Sequence, residues 1–310
     1  MMSAPKKVAI LGSGSIGIAF AIVFARSNYK VVIWDKFPEA LNRAKSECDQ
    51  KISLLDKHGL CNKEKISENI DFEADLLKTL DGAFIVQEAV PELLEIKLEL
   101  FKEVAVNTAS TVPILSSTSA LQPSQFNAAA PERILVGHPG NPPFLIPVIE
   151  IVPSKQTSPG IISQVKSFYA SVGMKPVLVA KEIGGFIFNR LQGAVLREAY
   201  CLVRDGVASV EDIDIVMKFG LGRRWSIMGP FETSDLNTRG GIESHAAKMG
   251  PAYYQMGQER GQDDPWTPEM VEQVTNSRRT TLPLDQWEER VKWRDKSLLQ
   301  LLPIWNELLK

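Results

Sequence analysis

The stretch that decides the fold is Lys7-Val-Ala-Ile-Leu11, followed by Gly12-Ser-Gly-Ser-Ile-Gly17 and then by the apolar run Ile18–Arg26. A short apolar run such as the first is typical of a buried parallel strand, and the last run has the length of a helix. A glycine-rich turn between a strand and a helix is typical of a dinucleotide-binding fold. The alternative is an ordinary glycine-rich turn, which needs neither the strand nor the helix.

Each glycine of this motif has a separate physical role. Gly12 permits the tight turn, Gly14 lets a pyrophosphate approach the backbone, and Gly17 lets the helix pack closely on the strand. The start of the helix, at Ser15 and Ile16, faces the phosphates with the positive end of the helix dipole. The residues expected to bind the phosphates are Gly12, Gly14, Ser15, Ile16 and Gly17.

An acidic residue after the second strand indicates which dinucleotide binds. Lys30-Val-Val-Ile-Trp34 is another short apolar run, and it ends in Asp35. A carboxylate at this place accepts hydrogen bonds from both hydroxyls of the adenosine ribose and repels a 2′-phosphate. The sequence therefore predicts NAD rather than NADP as the cofactor, although the neighbouring Lys36 weakens the discrimination.

Composition restricts the class of protein. The chain has 310 residues and a formal net charge of −2, which allows two ordinary domains and gives no electrostatic reason to bind nucleic acid or an anionic membrane. Its three cysteines, Cys48, Cys61 and Cys201, have no CxxC spacing, which argues against a disulfide framework or a structural zinc. No apolar run reaches about 18 residues, and because Met1–Lys7 leads directly into the first strand we expect no signal peptide. We therefore expect a cytoplasmic protein with no metal site.

Strand and helix patterns alternate up to about residue 180. Further apolar runs predict strands at Ala83–Val86, Val112–Leu115, Ile134–Val136, Val148–Val152 and Val177–Ala180. Helices are expected near Leu93–Val104 and Pro159–Val172, and the charged, strand-poor stretch Ala40–Asp75 predicts one long helix and a shorter one. Such alternation is typical of a mostly parallel, doubly wound α/β sheet of the Rossmann type.

Beyond Gly184 and Gly185 the patterns become almost entirely helical. The predicted helices are Phe186–Asp205, Ser209–Lys218 with a capping box, a segment near Ile242–Gln258, Thr267–Asn276 and Leu284–Leu309. The sequence therefore predicts an NAD-binding Rossmann domain over residues 1–184 and an all-α domain over residues 185–310.

A histidine and a glutamate are the main candidates for chemistry. His138 begins the run His138-Pro-Gly-Asn-Pro-Pro143, and Glu150 lies in the strand that follows. A neutral imidazole can take a proton from an alcohol near pH 7, and a carboxylate on its other nitrogen fixes the tautomer and stabilises the imidazolium. Beside a nicotinamide, such a pair oxidises an alcohol. The alternative for His138 is a structural role in a proline-rich loop.

Five runs of sequence, in this order, carry a family resemblance. They are Gln87-Glu-Ala-Val-Pro-Glu92, Ser116-Ser-Thr-Ser119, His138–Pro143, Lys181–Phe186 with Asn189-Arg-Leu191, and Gly220–Trp225 with Gly229-Pro230. They resemble the 3-hydroxyacyl-CoA dehydrogenase family along essentially the whole chain, and most of all its lambda-crystallin and L-gulonate 3-dehydrogenase branch. The resemblance implies an NAD-dependent dehydrogenase whose helical C-terminal domain forms a homodimer and supplies part of the substrate pocket.

The resemblance also implies roles for single residues. His138 is the base and Glu150 its partner, while Ser119 and Asn189 hold the substrate oxygen and the catalytic geometry. Glu92 and Lys97 fall where the family contacts the ribose beside the nicotinamide. The structural alternatives are a helix N-cap at Ser119, a solvent-facing amide at Asn189, and plain surface charges at Glu92 and Lys97.

Arg224 separates two classes of substrate. The gulonate and carnitine dehydrogenase branches resemble this chain in having an arginine before Gly229-Pro230, whereas the acyl-CoA members have no comparable arginine there. A guanidinium fits a carboxylate bidentately, so we expect Arg224 to bind a free 3-hydroxy acid rather than a thioester. The alternative is a structural ion pair, and the neighbouring Arg223 is expected to be a solvated or interface charge.

The sequence therefore predicts oxidation of an L-3-hydroxy acid, L-gulonate-like or 3-hydroxybutyrate-like, with NAD as acceptor. L-carnitine is the next candidate, because Trp225, Tyr253 and Tyr254 could offer aromatic faces to its quaternary ammonium; a 3-hydroxyacyl-CoA comes last. The alternative without catalysis is a crystallin-like structural protein or an NAD sensor. His58 and His245 lack a partner motif, and no role is expected for them.

Overall fold

A computed structural model of the chain describes residues 6–57, 61–260 and 268–291, together with Trp293, Ser297, Ile304 and Glu307. The chain forms two compact units, Met1–Leu196 and Arg197–Lys310. The domain boundary expected from the glycine pair at residues 184 and 185 stays a prediction. Each unit has its own internal packing.

The first unit alternates strands with helices. Its strands are β1 (Lys7–Leu11), β2 (Lys30–Trp34), β3 (Ile70–Glu73), β4 (Ala83–Glu88), β5 (Ile114–Ser116), β6 (Ile134–Pro139), β7 (Val148–Val152) and β8 (Lys175–Leu178). Its helices are α1 (Ser15–Arg26), α2 (Pro38–Lys57), α3 (Lys63–Ser67), α4 (Leu76–Leu80), α5 (Leu94–Val106) and α6 (Pro159–Ser171), and α7 (Phe188–Arg204) begins in it.

All eight strands belong to one sheet, in the order β3-β2-β1-β4-β5-β6-β7-β8. Neighbouring strands are parallel except for β6 and β7, which are antiparallel. The chain moves outward from β1 to β3 and then returns to the other side of β1 with β4, which makes a switch point of the kind where α/β sheets bind ligands. The structure confirms the predicted mostly parallel Rossmann sheet.

The two faces of the sheet bury separate hydrophobic clusters. On β1, Val8 and Ile10 pack on the face covered by α1, α2 and α6, which we call the α1 face. Ala9 and Leu11 pack on the opposite face, covered by α4 and α5, which we call the α5 face. Because side chains alternate along a strand and helices cover both faces, the central strands are apolar at nearly every position.

Two edge strands differ from the sequence prediction. The stretch Ala40–Asp75 was predicted without a strand, yet Ile70–Glu73 forms β3 and pairs with β2. β3 is an edge strand of four residues with one buried side chain, so it has little apolar pattern. At the other edge, the strand predicted at Val177–Ala180 is found at Lys175–Leu178 and is also largely exposed.

The described part of the second unit is helical, as predicted. It contains α8 (Val210–Val216), a π-helical segment (Met217–Leu221), α9 (Gly222–Trp225), α10 (Pro230–Asn237), α11 (Gly241–Glu259) and α12 (Pro268–Thr281). The sequence did not predict α10, and most of the helix predicted at Leu284–Leu309 lies outside the described residues. Within the described segments, every helix is too short or too polar to cross a membrane.

Candidate functional site

The glycine-rich turn joins β1 to α1 at the carboxyl edge of the sheet. Gly12 has φ +109°, and a Cβ there would lie 2.5 Å from the carbonyl oxygen of Ala89. A Cβ on Gly17 would lie 2.0 Å from the carbonyl oxygen of Gly12, so the helix and the turn touch at this glycine. A Cβ on Gly14 would meet no atom within 4 Å. The motif therefore has two glycines required by packing and one that borders open space.

Asp35 lies across from this turn, at the end of β2. Its Oδ2 accepts hydrogen bonds from the backbone amide of Ser13 at 2.9 Å and from the Ser13 hydroxyl at 2.7 Å. Its Oδ1 accepts one from the amide of Phe37 at 3.1 Å. A carboxylate oxygen has about two lone-pair sites, so Oδ1 retains capacity for a sugar hydroxyl. Sequence analysis assigned no role to Ser13, although its two hydrogen bonds hold the carboxylate of Asp35 in place.

These features fit a dinucleotide. The start of α1 has Gly14 as its cap and no capping side chain, so the first amides of the helix, from Ser15 and Ile16 onward, face the open space beside Gly14. Amides at a helix start bind phosphate, and a fixed carboxylate after β2 binds a ribose. The residues at this edge therefore match what NAD requires.

His138 and Glu150 form a direct pair. They lie opposite each other in the antiparallel register of β6 and β7, and His138 Nδ1 lies 2.7 Å from Glu150 Oε2. The His138 side chain is 8% exposed and the Glu150 side chain 3%. The second carboxylate oxygen, Oε1, accepts hydrogen bonds from the backbone amides of Ile187 at 2.7 Å and Phe188 at 3.0 Å. Both oxygens of Glu150 are therefore held.

The electrostatics of this pair fix the tautomer of the imidazole. Burial by itself raises the pKa of Glu150, but the hydrogen bonds from His138 and from the amides of Phe188 and Ile187 outweigh it and hold that pKa below its ordinary value. An ionised carboxylate only accepts hydrogen bonds, so His138 Nδ1 carries the proton and donates it. A neutral His138 then has Nε2 as its free basic nitrogen.

The turn before α7 aims the two amides at Glu150. Gly185 has φ +74° and Phe186 has φ +49°, both in the left-handed region. The ring of Phe186 is fully buried with its centroid 5.5 Å from that of His138. Packing of this ring against the imidazole provides a reason for the strained backbone at a position other than glycine.

Ser119, Asn189 and Glu92 are also brought together. Asn189 Nδ2 donates to the Ser119 carbonyl oxygen at 3.0 Å, and the Ser119 amide donates to Glu92 Oε1 at 3.0 Å. The Thr118 hydroxyl donates to the same oxygen of Glu92. Ser119 is not a helix N-cap, because the short 3₁₀ helix that follows is capped by Gln122. The start of α7 thus contacts both polar groups of the site, Glu150 through Ile187 and Phe188 and Ser119 through Asn189.

Lys97 is buried rather than a surface charge. Its ammonium is 2.7 Å from Glu88 Oε1 and 2.9 Å from Glu88 Oε2, and 3.4 Å from Glu92 Oε2, with only 1% of the side chain exposed. Burial raises the pKa of Glu88, against the opposing effect of Lys97. For Glu92, burial also raises the pKa, but the Thr118 hydrogen bond and the Lys97 charge lower it more. Lys97 therefore forms ion pairs with both the buried Glu88 and the more exposed Glu92, and so links the two carboxylates.

Glu88 is a site residue that the sequence did not single out. It ends β4, is fully buried, and also accepts hydrogen bonds from Ser116 Oγ at 2.5 Å and the Val90 amide at 2.7 Å. An acidic residue at the end of an apolar strand was the available signal, since a buried charge requires a partner. Through Lys97 and Ser116, Glu88 joins the ends of β4 and β5 to α5.

Arg224 lies in the second unit, on the short helix α9. Its Nη1 donates to Asn237 Oδ1 at 3.2 Å, and among the residues that the structure describes it forms no ion pair. The guanidinium of Arg223 lies 5.0 Å from the ring centroid of Phe219. His245 is buried beside Thr238, and His58 lies outside the described residues. The structural ion pair considered as the alternative for Arg224 is therefore not found among the described residues, where its partner is the neutral Asn237.

Two family models together match almost the whole described chain. Residues 7–183 match the model of the 3-hydroxyacyl-CoA dehydrogenase NAD binding domain. Residues 185–283 match the model of the 3-hydroxyacyl-CoA dehydrogenase C-terminal domain. The match confirms NAD as the cofactor of the first domain, as the sequence predicted.

Full-length relatives agree. A 3-hydroxyacyl-CoA dehydrogenase of Gibberella moniliformis is 36% identical, with 96% of this chain and 94% of the relative covered. A lambda-crystallin homolog of Bos taurus is 35% identical over 99% and 98%. An L-carnitine dehydrogenase of Bacillus cereus is 34% identical over 96% and 92%.

A solved structure gives the same assignment. The 3-hydroxyacyl-CoA dehydrogenase of Archaeoglobus fulgidus has a TM-score of 0.71 at 27% identity, with 96% of this chain and 99% of that chain covered. The predicted likeness to the lambda-crystallin relatives is confirmed as well. This chain belongs to the 3-hydroxyacyl-CoA dehydrogenase family.

Proposed function

We propose that this protein oxidises the C3 hydroxyl of a free L-3-hydroxy acid to the 3-keto acid with NAD as acceptor. The observation that carries the proposal is the His138 Nδ1 to Glu150 Oε2 hydrogen bond of 2.7 Å, in a chain whose N-terminal domain belongs to an NAD-binding family. A buried histidine whose other nitrogen is held by an ionised carboxylate is equipped for general-base catalysis.

Separate residues of the chain accept the proton and orient the substrate. Bound NAD supplies the hydride acceptor. His138 Nε2 takes the hydroxyl proton while Glu150, held ionised by three hydrogen bonds, stabilises the imidazolium that forms. Ser119 and Asn189 orient the substrate oxygen, and their mutual hydrogen bond supports this role. The imidazole of His138 is then sufficient to accept the proton of the substrate hydroxyl.

Cofactor contacts follow the same edge of the sheet. The turn Gly12–Gly17 and the first amides of α1 bind the pyrophosphate, and Asp35 binds the adenosine ribose. Glu92 contacts the ribose beside the nicotinamide. Lys97 was expected to share that contact, but its burial against Glu88 favours a role in orienting Glu92.

Arg224 is the residue we propose for the substrate carboxylate. Among the described residues its hydrogen bond to Asn237 uses one of the five N–H donors, which leaves four, enough for a bidentate carboxylate. A relative at similar identity is an L-carnitine dehydrogenase, and because carnitine has a free carboxylate this supports a free acid. L-gulonate-like and 3-hydroxybutyrate-like acids rank first and L-carnitine second. The acyl-CoA alternative rests on the 36% identical relative of that name.

We also propose a cytoplasmic homodimer. The helix α7 has no buried residue, and its apolar side chains Leu191, Leu196 and Tyr200 are 58%, 46% and 76% exposed. Apolar faces of this kind are covered when two copies associate. The three cysteines are free, which fits a reducing compartment.

Purified protein tests the function directly. NADH formation is measured by its absorbance with L-gulonate, 3-hydroxybutyrate, L-carnitine and 3-hydroxybutyryl-CoA, each with NAD and with NADP. We expect turnover of a free hydroxy acid with NAD. Turnover only with the thioester supports the acyl-CoA alternative instead. NAD binding without turnover of any of them supports the structural or sensing role.

A further inference from the structure

A line of buried polar groups crosses the α1 face of the sheet, on the side opposite His138 and Glu150. The hydroxyl of Tyr169 on α6 donates to Gln87 Oε1 at 2.6 Å. Gln87 Nε2 donates to Ser117 Oγ at 2.8 Å, and Ser117 Oγ donates to the Glu88 carbonyl oxygen at 2.6 Å. The line thus connects α6 to the ends of β4 and β5. Nothing in the proposed chemistry uses it.

Packing alone does not account for these polar groups. Tyr169 and Gln87 are both 0% exposed, and their neighbours on this face are apolar. Burying a hydroxyl and an amide costs free energy unless every group is paired, and an apolar pair of similar volume avoids that cost. Burial raises the pKa of Tyr169, so the phenol stays protonated and donates to Gln87.

The hydroxyl of Tyr169 also touches the strand that carries the base. A Cβ on Gly137 would lie 2.3 Å from Tyr169 Oη, so the hydroxyl lies against the β6 backbone at the residue before His138. At its other end the line reaches Ser117, two positions before Ser119 in the sequence. One hydroxyl is therefore packed on the β6 end and hydrogen-bonded, through Gln87, to the β5 end.

The aromatic core fixes where that hydroxyl lies. The Tyr169 ring centroid is 6.4 Å from that of Phe20, 6.5 Å from Phe24 and 5.3 Å from Phe168. Closely packed rings leave little freedom for the side chain to move. The position of the hydroxyl is thus set by the core of the sheet and not by the site.

We propose that Tyr169 and Gln87 are positioning residues, which set the separation between the β5 end that leads to Ser119 and the β6 end that carries His138. The inference rests on the proposed function, since these two strand ends bear the groups that orient and deprotonate the substrate. Displacement of such groups by about 1 Å can cost on the order of 10²-fold in rate. A change on the α1 face should displace these strand ends by less than that, and the rate should then fall by a smaller factor.

The first test is Tyr169→Phe, which removes one hydroxyl and keeps the ring. We expect kcat on the best substrate of the panel to fall about tenfold, with the NAD dissociation constant within about twofold of wild type. The matched control is Tyr29→Phe. Tyr29 packs edge-on against Phe168 in the same cluster, but its hydroxyl meets Ser171 rather than the sheet. Unchanged kcat in Tyr169→Phe, with only a lower urea midpoint, overturns the inference.

A second test uses the contact with Gly137. Gly137→Ala places a methyl group against the Tyr169 hydroxyl, so we expect kcat to fall by more than it does in Tyr169→Phe. In the double variant Gly137→Ala/Tyr169→Phe the hydroxyl is gone, and the ring carbon Cζ, 3.2 Å from the Cβ position, needs only a small shift. We expect kcat of the double variant to exceed that of Gly137→Ala. A double variant that is no faster than Gly137→Ala contradicts the inference.

A third readout does not depend on turnover. The chain has three histidines, and the His138 signal in ¹³C-histidine NMR is identified by its loss in His138→Gln. We expect Tyr169→Phe to shift the His138 signal and to leave that of His245, in the second unit, in place. If wild type oxidises none of the panel, the proposed function fails, while a shifted His138 signal still supports positioning. A His138 signal that does not move in Tyr169→Phe overturns the inference that Tyr169 is a positioning residue.

Discussion

At the scale of single residues, the site depends on pairs that the sequence separates widely. The runs around His138 and Glu150 were sufficient to predict that these two side chains lie together, because the family resemblance covers both. The partners of Glu150 on its other oxygen, Ile187 and Phe188, carry no side-chain signal, since they bond through their backbone amides. Hydrogen bonds from the backbone depend on the turn and not on residue type.

Buried polar residues were the main omission of the sequence prediction. Glu88 and Gln87 stand side by side at the end of β4, where strand pattern favours apolar side chains. Their partners, Lys97 and Tyr169, come from helices on opposite faces of the sheet. Because a sequence does not show which helix covers which face, the pairing could be found only from the structure.

Loss of the proposed base gives the first prediction. His138→Gln keeps a polar side chain but has no titratable nitrogen, so kcat should fall by about 10²- to 10⁴-fold, the usual contribution of general-base catalysis. The NAD dissociation constant should stay near the wild-type value. The control is His245→Gln, which replaces the buried histidine of the second unit. If His138→Gln keeps near wild-type turnover, His138 is not the base.

Glu150 gives a prediction about pH and stability. Its pKa in the folded chain lies below the ordinary glutamate value of about 4.3, so its ionised form stabilises the fold above that value, and the stabilisation is lost as pH falls through the lowered pKa. The free energy of unfolding of wild type should exceed that of Glu150→Gln at about pH 7, and the difference should shrink toward about pH 3.

Urea unfolding at a series of pH values measures this difference. Glu95→Gln, at an exposed glutamate of α5, serves as the control and should show little difference at any pH. A gap between wild type and Glu150→Gln that stays constant from neutral to acid pH refutes the linkage.

At the scale of elements, local signals predicted the turn between β1 and α1 but not the sheet edges. The motif Gly12–Gly17 encodes much of its own geometry, because Gly12 is required by a close contact with Ala89 after β4 and Gly17 by a close contact with Gly12 itself. β3 and β8 have little apolar pattern, since an edge strand is exposed on one side. Their positions follow from pairing with β2 and β7, which no short window of sequence contains.

The same turn distinguishes a binding glycine from a packing glycine. Gly14→Ala places a methyl group in open space at φ −72°, which alanine adopts freely, so the fold should keep its stability. The methyl group occupies the space proposed for the pyrophosphate, so NAD binding should weaken by about tenfold or more. Gly17→Ala, in contrast, forces a Cβ to 2.0 Å from the Gly12 carbonyl oxygen and should lower the melting temperature.

Thermal unfolding and titration of the two variants with NAD check the contrast. The expected result is a separation of effects, with Gly14→Ala changing affinity and Gly17→Ala changing stability. If a stable Gly14→Ala variant keeps full NAD affinity, the pyrophosphate does not bind beside Gly14.

At the scale of the whole molecule, the sequence predicted the class of architecture but not the direction of every strand. Alternating patterns implied a mostly parallel sheet without indicating which strand departs from it. In the structure β7 runs antiparallel to β6, and this reversal brings Glu150 opposite His138. The short connection between these two strands leaves no room for a crossover helix, which a parallel pair needs. The loop length was therefore the signal, and the twelve-residue separation of the proposed catalytic pair follows from it.

The proposed dimer is testable through α7. Tyr200 is 76% exposed on this helix, so Tyr200→Glu introduces a charge into the apolar face that we expect to be covered. Light scattering should give twice the chain mass for wild type at micromolar concentration and a lower mass for the variant. Val106→Glu, at an 81% exposed valine at the end of α5, is the control and should leave the mass unchanged. A wild-type monomer contradicts the proposal.

Substrate class is the last property that one residue can decide. If Arg224 binds a free carboxylate away from bulk water, its removal leaves a charged substrate without a partner, and such losses are usually about 2–5 kcal/mol. Arg224→Ala should therefore raise KM for hydroxy acids strongly, and Arg224→Lys should restore only part of the affinity, because an ammonium lacks the bidentate fork. Arg223→Ala, which removes the neighbouring guanidinium, controls for the loss of charge. Any activity on 3-hydroxybutyryl-CoA should change far less, since a thioester has no carboxylate at that position. If Arg224→Ala instead leaves hydroxy-acid kinetics intact and the thioester proves the best substrate, the acyl-CoA alternative replaces the free-acid assignment.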